Sequence, residues 1–116
     1  MALGHLVDVT LLAQRDRART VARLQLFDDV RRRLRDALHE MAEGHVFWVF
    51  GSLVRRGAFN AASDIDLAFE SLPDGFTEYQ LAAEVEERLR RRVDLVDFRR
   101  SRLRPKIQRE GERWIA

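Results

Sequence analysis

The sequence predicts an α+β domain, α/β-like in its mixing, with a small mixed β-sheet flanked by helices. Three observations predict it. One long stretch repeats apolar residues at helical spacing. Three short segments are rich in β-branched and aromatic residues. A second helical segment, opened by a capping-box pattern, lies between the last two of those segments. The predicted order is helix, strand, strand, helix, strand, helix.

Residues 11–43 place Val21, Leu24, Phe27, Val30, Leu34, Leu38 and Met41 at three- and four-residue steps, which makes one apolar stripe along a helix. Arg31, Arg32, Arg33 and Arg35 fall mostly off that stripe and read as its wet face. Leu11 and Leu12 fit the stripe poorly, so the segment can be one helix or two. Gly44 is the expected stop. His45–Phe50 is apolar on both parities, as a central strand covered on both sides is. Its indole, Trp48, is read as core.

Residues 63–70 alternate instead. Asp64, Asp66, Ala68 and Glu70 point to an open face; Ile65, Leu67 and Phe69 point to a core. Pro73-Asp74-Gly75 is a turn. Thr77 and Gln80 fit a capping box, with Phe76 and Leu81 placed as a hydrophobic staple. The helix they open runs to about Arg91. A third strand follows over 93–98. Ser101 is placed to cap a last helix through Glu110, with Gly111 as its stop and Trp114-Ile115 packing behind it.

A chain of 116 residues fits a single domain, 1–116. Its 46% hydrophobic content suffices for one core and excludes a disordered chain. The net charge is +2, and every basic residue is arginine except Lys106. This mild bias can attract phosphorylated ligands. Without interleaved aromatics it does not mark direct nucleic-acid binding. Cysteine is absent, which excludes disulfides and thiol chemistry. His5, His39 and His45 lack metal-ligand spacing. The first ten residues lack a basic n-region, and no run approaches about 18 apolar residues. A soluble, cytoplasmic protein is expected.

The chemistry lies in three pieces. Asp64 and Asp66, two apart on one strand, put two carboxylates on one face within reach of the same hard cation. Two such ions can stabilise the attacking and leaving oxygens of a displacement at phosphorus. Gly51-Ser52 follows a buried strand, where glycine lets a phosphate approach the backbone and the serine hydroxyl favours anions. Arg55 and Arg56 can add positive charge there. A third carboxylate would come from residues 93–98. Asp94 is preferred to Asp97, because Asp94 facing the metals leaves Val93 and Leu95 toward the core. It could ligate a second ion and help deprotonate an acceptor hydroxyl.

Gly-Ser, then Ser-Asp-Ile-Asp-Leu, then Val-Asp-Leu-Val resembles the DNA polymerase β-type nucleotidyltransferase superfamily. Over about residues 34–116 the chain is similar to its minimal branch, the antitoxin partners of HEPN-domain toxins. The short chain, without room for a separate acceptor-binding domain, fits that branch. The resemblance divides the domain into a helical leader, 1–44, and a catalytic core, 45–116, of the polymerase β-type fold. It places phosphate binding on Gly51 and Ser52, and metal binding and catalysis on Asp64, Asp66 and Asp94. It implies Mg²⁺, two ions, with ATP as substrate. It also implies a hetero-oligomer with the cognate HEPN RNase toxin, silenced by transfer of AMP to a hydroxyl, typically a tyrosine. A binding-only antitoxin and a small-molecule acceptor are the alternative readings. One departure stands out: Gly51-Ser-Leu-Val-Arg-Arg-Gly57 is one residue longer than the family's Gly-Ser-Arg-Ala-Arg-Gly and lacks its first arginine.

Overall fold

The computed structural model describes the backbone of residues 2–116 and the side chains of residues 9–116. Helix α1 spans Ala2–Ala42, strand β1 Val46–Phe50, and a 3₁₀ turn Gly51–Val54. Strand β2 (Ile65–Phe69), helix α2 (Glu78–Leu89) and strand β3 (Val93–Asp97) follow. Helix α3 (Arg104–Glu110) and strand β4 (Glu112–Ile115) close the chain. The sheet order is β3-β2-β1-β4. β1 is antiparallel to β2 and to β4, and β2 is parallel to β3, so the sheet is mixed as predicted.

The principal core lies on one face of this sheet. Phe47, Val49, Ile65, Leu67, Phe69 and Trp114 pack there against Phe27, Val30, Leu34 and Leu38 of α1 and Leu81, Val85 and Leu89 of α2. The apolar stripe of α1 is therefore real, but its full burial begins only at Phe27. A helix of 41 residues is about 60 Å long, far longer than strands of four or five residues. Val21 lies beyond the sheet and stays half exposed. Leu11 and Leu12 belong to this same unbroken helix: no proline or glycine falls between Gly4 and Gly44. Gly44 ends it as expected, at φ +83°.

The second face is thinner. Ala68, Phe98 and Ile107 form a small cluster joined by Trp48, Phe50 and Val96. Trp48 is only half-buried here; it stacks on Phe98 at 4.9 Å and donates to Glu70 at 3.0 Å. Ala68 was expected on an open face and is fully buried, because Phe98 and Ile107 of the C-terminal segment cover it.

The capping box of α2 is complete: Thr77 Oγ1 accepts from Gln80 N, and the Gln80 side chain accepts from Thr77 N. The helix ends at Leu89 with Arg90 left-handed, slightly earlier than the apolar pattern suggests. Two expectations at the C-terminus are corrected. Ser101 does not cap α3; it bonds Leu103 N, and the helix opens at Leu103 with Pro105 in its first turn. Trp114 and Ile115 are not loose packing but part of β4. That strand pairs Phe47 with Trp114 and Val49 with Glu112, alongside β1.

The arginine run on α1 is not uniformly wet. Arg31 turns inward, donating to Leu53 O at 2.8 Å and to Glu112 Oε2 at 2.6 Å. Its guanidinium also lies over Phe27 and Trp114, at 5.1 and 5.3 Å from their ring centres. One side chain thus ties α1 to the 3₁₀ turn and to β4.

Candidate active site

The site grows out of the sheet's thinner face. Pairing partners in neighbouring strands share a face, so the register decides which side chains meet. β1 opposes Phe50 to Asp66, and β2 opposes Asp66 to Asp94. Asp66 and Asp94 therefore sit side by side in adjacent strands. Asp97 pairs with Phe69, on the opposite parity. It is occupied locally, accepting from Arg99 N at 3.0 Å. The register thus puts Asp94, and not Asp97, next to Asp66.

Asp64 lies one residue before β2, and its position depends on the loop that delivers it. Within that loop Asn60 Oδ1 accepts from Ala62 N, and Ser63 Oγ accepts from Asn60 N. Arg91, two residues past the end of α2, donates to the carbonyls of Asn60, Ala61 and Ser63 at 3.2, 3.1 and 2.7 Å, and its guanidinium covers Phe59. The carbonyl cluster, absent from any local pattern, makes this arginine a brace for the approach to Asp64. The sequence gives no sign of it within the run Arg90–Arg92.

Gly51 shows how closely backbone and carboxylate meet. Its φ is +72°, a conformation costly for any residue with a Cβ. A Cβ placed there would lie 2.1 Å from Asp66 Oδ2. Phe50 ends the strand, Gly51 turns the chain, and the 3₁₀ turn buries Leu53 while leaving Ser52 half-exposed.

A cleft of about 760 Å³ opens between this turn and α3. Gly51, Ser52, Arg55, Asp66, Lys106 and Glu110 supply its polar wall. Phe50, Val54, Leu103 and Ile107 supply its apolar one. Of the four residues assigned to phosphate, three therefore line one cleft. Arg56 does not; it turns back to α1 and pairs with Asp28 at 3.4 Å. Asp64 and Asp94 do not line the cleft either, but both act on Asp66.

Burial pushes the Asp66 carboxyl above the usual carboxylate range, and the charges of Asp94 and Asp64 push it further; Lys106 opposes them. Asp94 is half-exposed, with Arg92 3.5 Å from Oδ1. Among the described residues no three acids or histidines form a closed ligand cluster. The donor set nonetheless suits a hard dication: Asp94 pairs beside Asp66 and Asp64 precedes it by two residues, and the charges of both add to the effect of burial in raising Asp66. The residues that could hold such an ion are Asp64, Asp66 and Asp94. Lys106 escaped the sequence reading. Its signal was present, since it is the single lysine among 21 basic residues.

Residues 32–114 match the family described as Polymerase beta, Nucleotidyltransferase. No curated protein matches. Two solved structures are similar. A crystal structure of a toxin–antitoxin with AMP-PNP superposes with TM-score 0.57 at 24% identity, over 73% of each chain. A crystal structure of the toxin–antitoxin MntA-HepT gives TM-score 0.48 at 23% identity, over 79% of this chain and 73% of that one. The first shares the fold.

Proposed function

The chain belongs to the polymerase β-type nucleotidyltransferase family, and from that premise we propose that it transfers AMP from ATP to a hydroxyl of a partner protein, as the antitoxin of a toxin–antitoxin pair. The observation that carries the reading is the register that sets Asp66 beside Asp94, with Asp66 touching the Gly51 turn at the edge of a nucleotide-sized cleft. The toxin–antitoxin with AMP-PNP, which has this fold, supports the choice of nucleotide and of partner.

Each residue then has a task. Ser52 and Arg55 hold the triphosphate in the cleft, by a hydroxyl and a guanidinium suited to phosphate oxygens. Asp64, Asp66 and Asp94 are the residues that would hold Mg²⁺; when bound, the ion offsets the charge that builds on the phosphoryl oxygens. Asp94 belongs to the edge strand, outside the cleft residues, and its side chain is 47% exposed. The acceptor hydroxyl approaches from that side, and Asp94 takes its proton. The acceptor oxygen bonds to the α-phosphorus, the bond from that phosphorus to the bridging oxygen breaks, and pyrophosphate leaves. The cleft does not enclose an acceptor; a protein partner brings its own surface and its own tyrosine.

The test is intact mass. The partner protein, incubated with this chain, ATP and Mg²⁺, gains one or more AMP groups, and gains none with Asp64→Ala. An unmodified partner that both proteins neutralise equally well makes this a binding-only antitoxin and refutes the proposal.

A further inference from the structure

Lys106 is exposed on α3 and faces the cleft across from the Gly51–Val54 turn. Among the described residues it has no salt bridge or hydrogen bond, unlike Arg31, Arg56, Arg88 and Arg92, which have carboxylate partners on other elements or nearby. Its charge acts on Asp66 from the wall opposite β2. Ser52 and Arg55 supply the cleft's other phosphate-seeking groups, both from the turn.

Resting on the nucleotidyltransferase reading, we propose that Lys106 is a further substrate-binding residue. Its ammonium closes the cleft over the triphosphate from α3, and it stands in for the arginine that position 53 lacks. Three points lead there. The cleft carries two acids, Asp66 and Glu110, against two cations, Arg55 and Lys106. A polyanion entering it needs both cations, and needs one from each wall to be held in place. Position 53, where the family often has arginine, is here the fully buried Leu53, whose side chain serves the core instead. Lysine is a compact point charge on a flexible stem, which can follow phosphates from a helix across the gap.

The test is equilibrium binding of AMP-PNP and of AMP, each with Mg²⁺, to the full chain by calorimetry, with the partner absent so that no transfer occurs. Lys106→Met weakens AMP-PNP by about tenfold, the loss of one charge-assisted contact. It weakens AMP less than twofold, and Lys106→Arg recovers most of the AMP-PNP affinity. Thermal melting of Lys106→Met without nucleotide matches wild type, as an exposed side chain without partners requires, which separates binding from folding. If Lys106→Met binds AMP-PNP as wild type does, the assignment is wrong while the proposed function stands. If the methionine variant loses AMP and AMP-PNP equally, the ammonium does not serve the outer phosphates and the assignment is also wrong. If the wild-type chain binds neither nucleotide, the nucleotidyltransferase reading itself fails and takes this assignment with it.

Discussion

Replacing Gly51 with alanine tests the contact on which the site is built. The new Cβ carries two separable penalties. The first is conformational: at φ +72° a non-glycine residue is strained by about 1–3 kcal/mol. The second is steric. The Cβ would stand 2.1 Å from Asp66 Oδ2, 3.1 Å from its Cγ and 3.3 Å from its Cβ. Carbon and oxygen settle near 3.5 Å, so the carboxylate must swing away by on the order of 1 Å. A displacement of that size in a group that positions reacting atoms lowers the rate by about a hundredfold. Gly44→Ala is the control. Gly44 has a comparable φ of +83°, but an added Cβ meets nothing within 4 Å. Both variants lose stability, and thermal melting should register about 4–8 °C for each kcal/mol. Only Gly51→Ala loses transfer activity. In an Asp66→Ala background most of the steric part of the Gly51→Ala penalty is removed, because only the Cβ at 3.3 Å remains, and the penalty falls toward the conformational part. If Gly51→Ala and Gly44→Ala are equally active, or if the Gly51→Ala penalty is the same with and without Asp66, the close packing of turn against carboxylate is not what shapes this site.

Other predictions follow from the charges and braces. The Asp66 carboxyl is raised above the ordinary value of 3.8, so in the folded protein it holds its proton to higher pH than in the unfolded chain. The stability it contributes is fully present below that ordinary value and is lost as pH rises through the folded value. Asp66→Asn therefore melts higher than wild type at pH 7, the gap closes near pH 3, and transfer is abolished; a melting series across that range checks the sign. Arg31→Met removes two charge-assisted bonds joining α1, the 3₁₀ turn and β4, and lowers stability by about 1–3 kcal/mol in denaturant unfolding. Burial alone would raise Glu112, but the hydrogen bonds from Arg31 and Trp114 and the Arg31 charge bring it below its ordinary 4.5. Its stabilisation is present above that value and fades as pH falls through the folded value, and Arg31→Met flattens that acid limb. Arg91→Met frees three loop carbonyls next to Asp64 and lowers the transfer rate at least tenfold while shifting the melting temperature less than Arg31→Met does.

The parts legible in the sequence were those set by local chemistry. Thr77 and Gln80 announced α2 through spacing alone, and the alternation of Ile65, Asp66 and Leu67 gave both strand and facing. Parity alone favours Asp94 over Asp97 because Val93 and Leu95 suit the core, and the register sets Asp94 beside Asp66. What was illegible depended on partners distant in the chain. Glu112–Ile115 is too short and too mixed to look like a strand; it becomes one because β1 offers it an edge. Arg31 sits in an arginine run that reads as wet and Arg91 in a second run, Arg90–Arg92, and nothing nearby distinguishes them from Arg32 or Arg92. Their targets are backbone carbonyls and a carboxylate 22 to 81 residues away. Arg56 failed to reach the cleft for a related reason: α1 presents Asp28 to it. Residues 9–23 of α1, outside the principal core, owe their helix to propensity and continuity rather than to packing.

The central claim is that three carboxylates, two on adjoining strands and one just before β2, direct attack at the innermost phosphorus of a nucleoside triphosphate. Its most direct measurement follows radiolabel from ATP into the partner protein, with the label placed at the α or at the γ phosphate, for wild type and for Asp64→Asn, Asp66→Asn and Asp94→Asn. The account predicts protein-bound label from the α position alone, and its loss in all three variants while each remains folded. Label arriving from the γ position, or any variant transferring as fast as wild type, would contradict it.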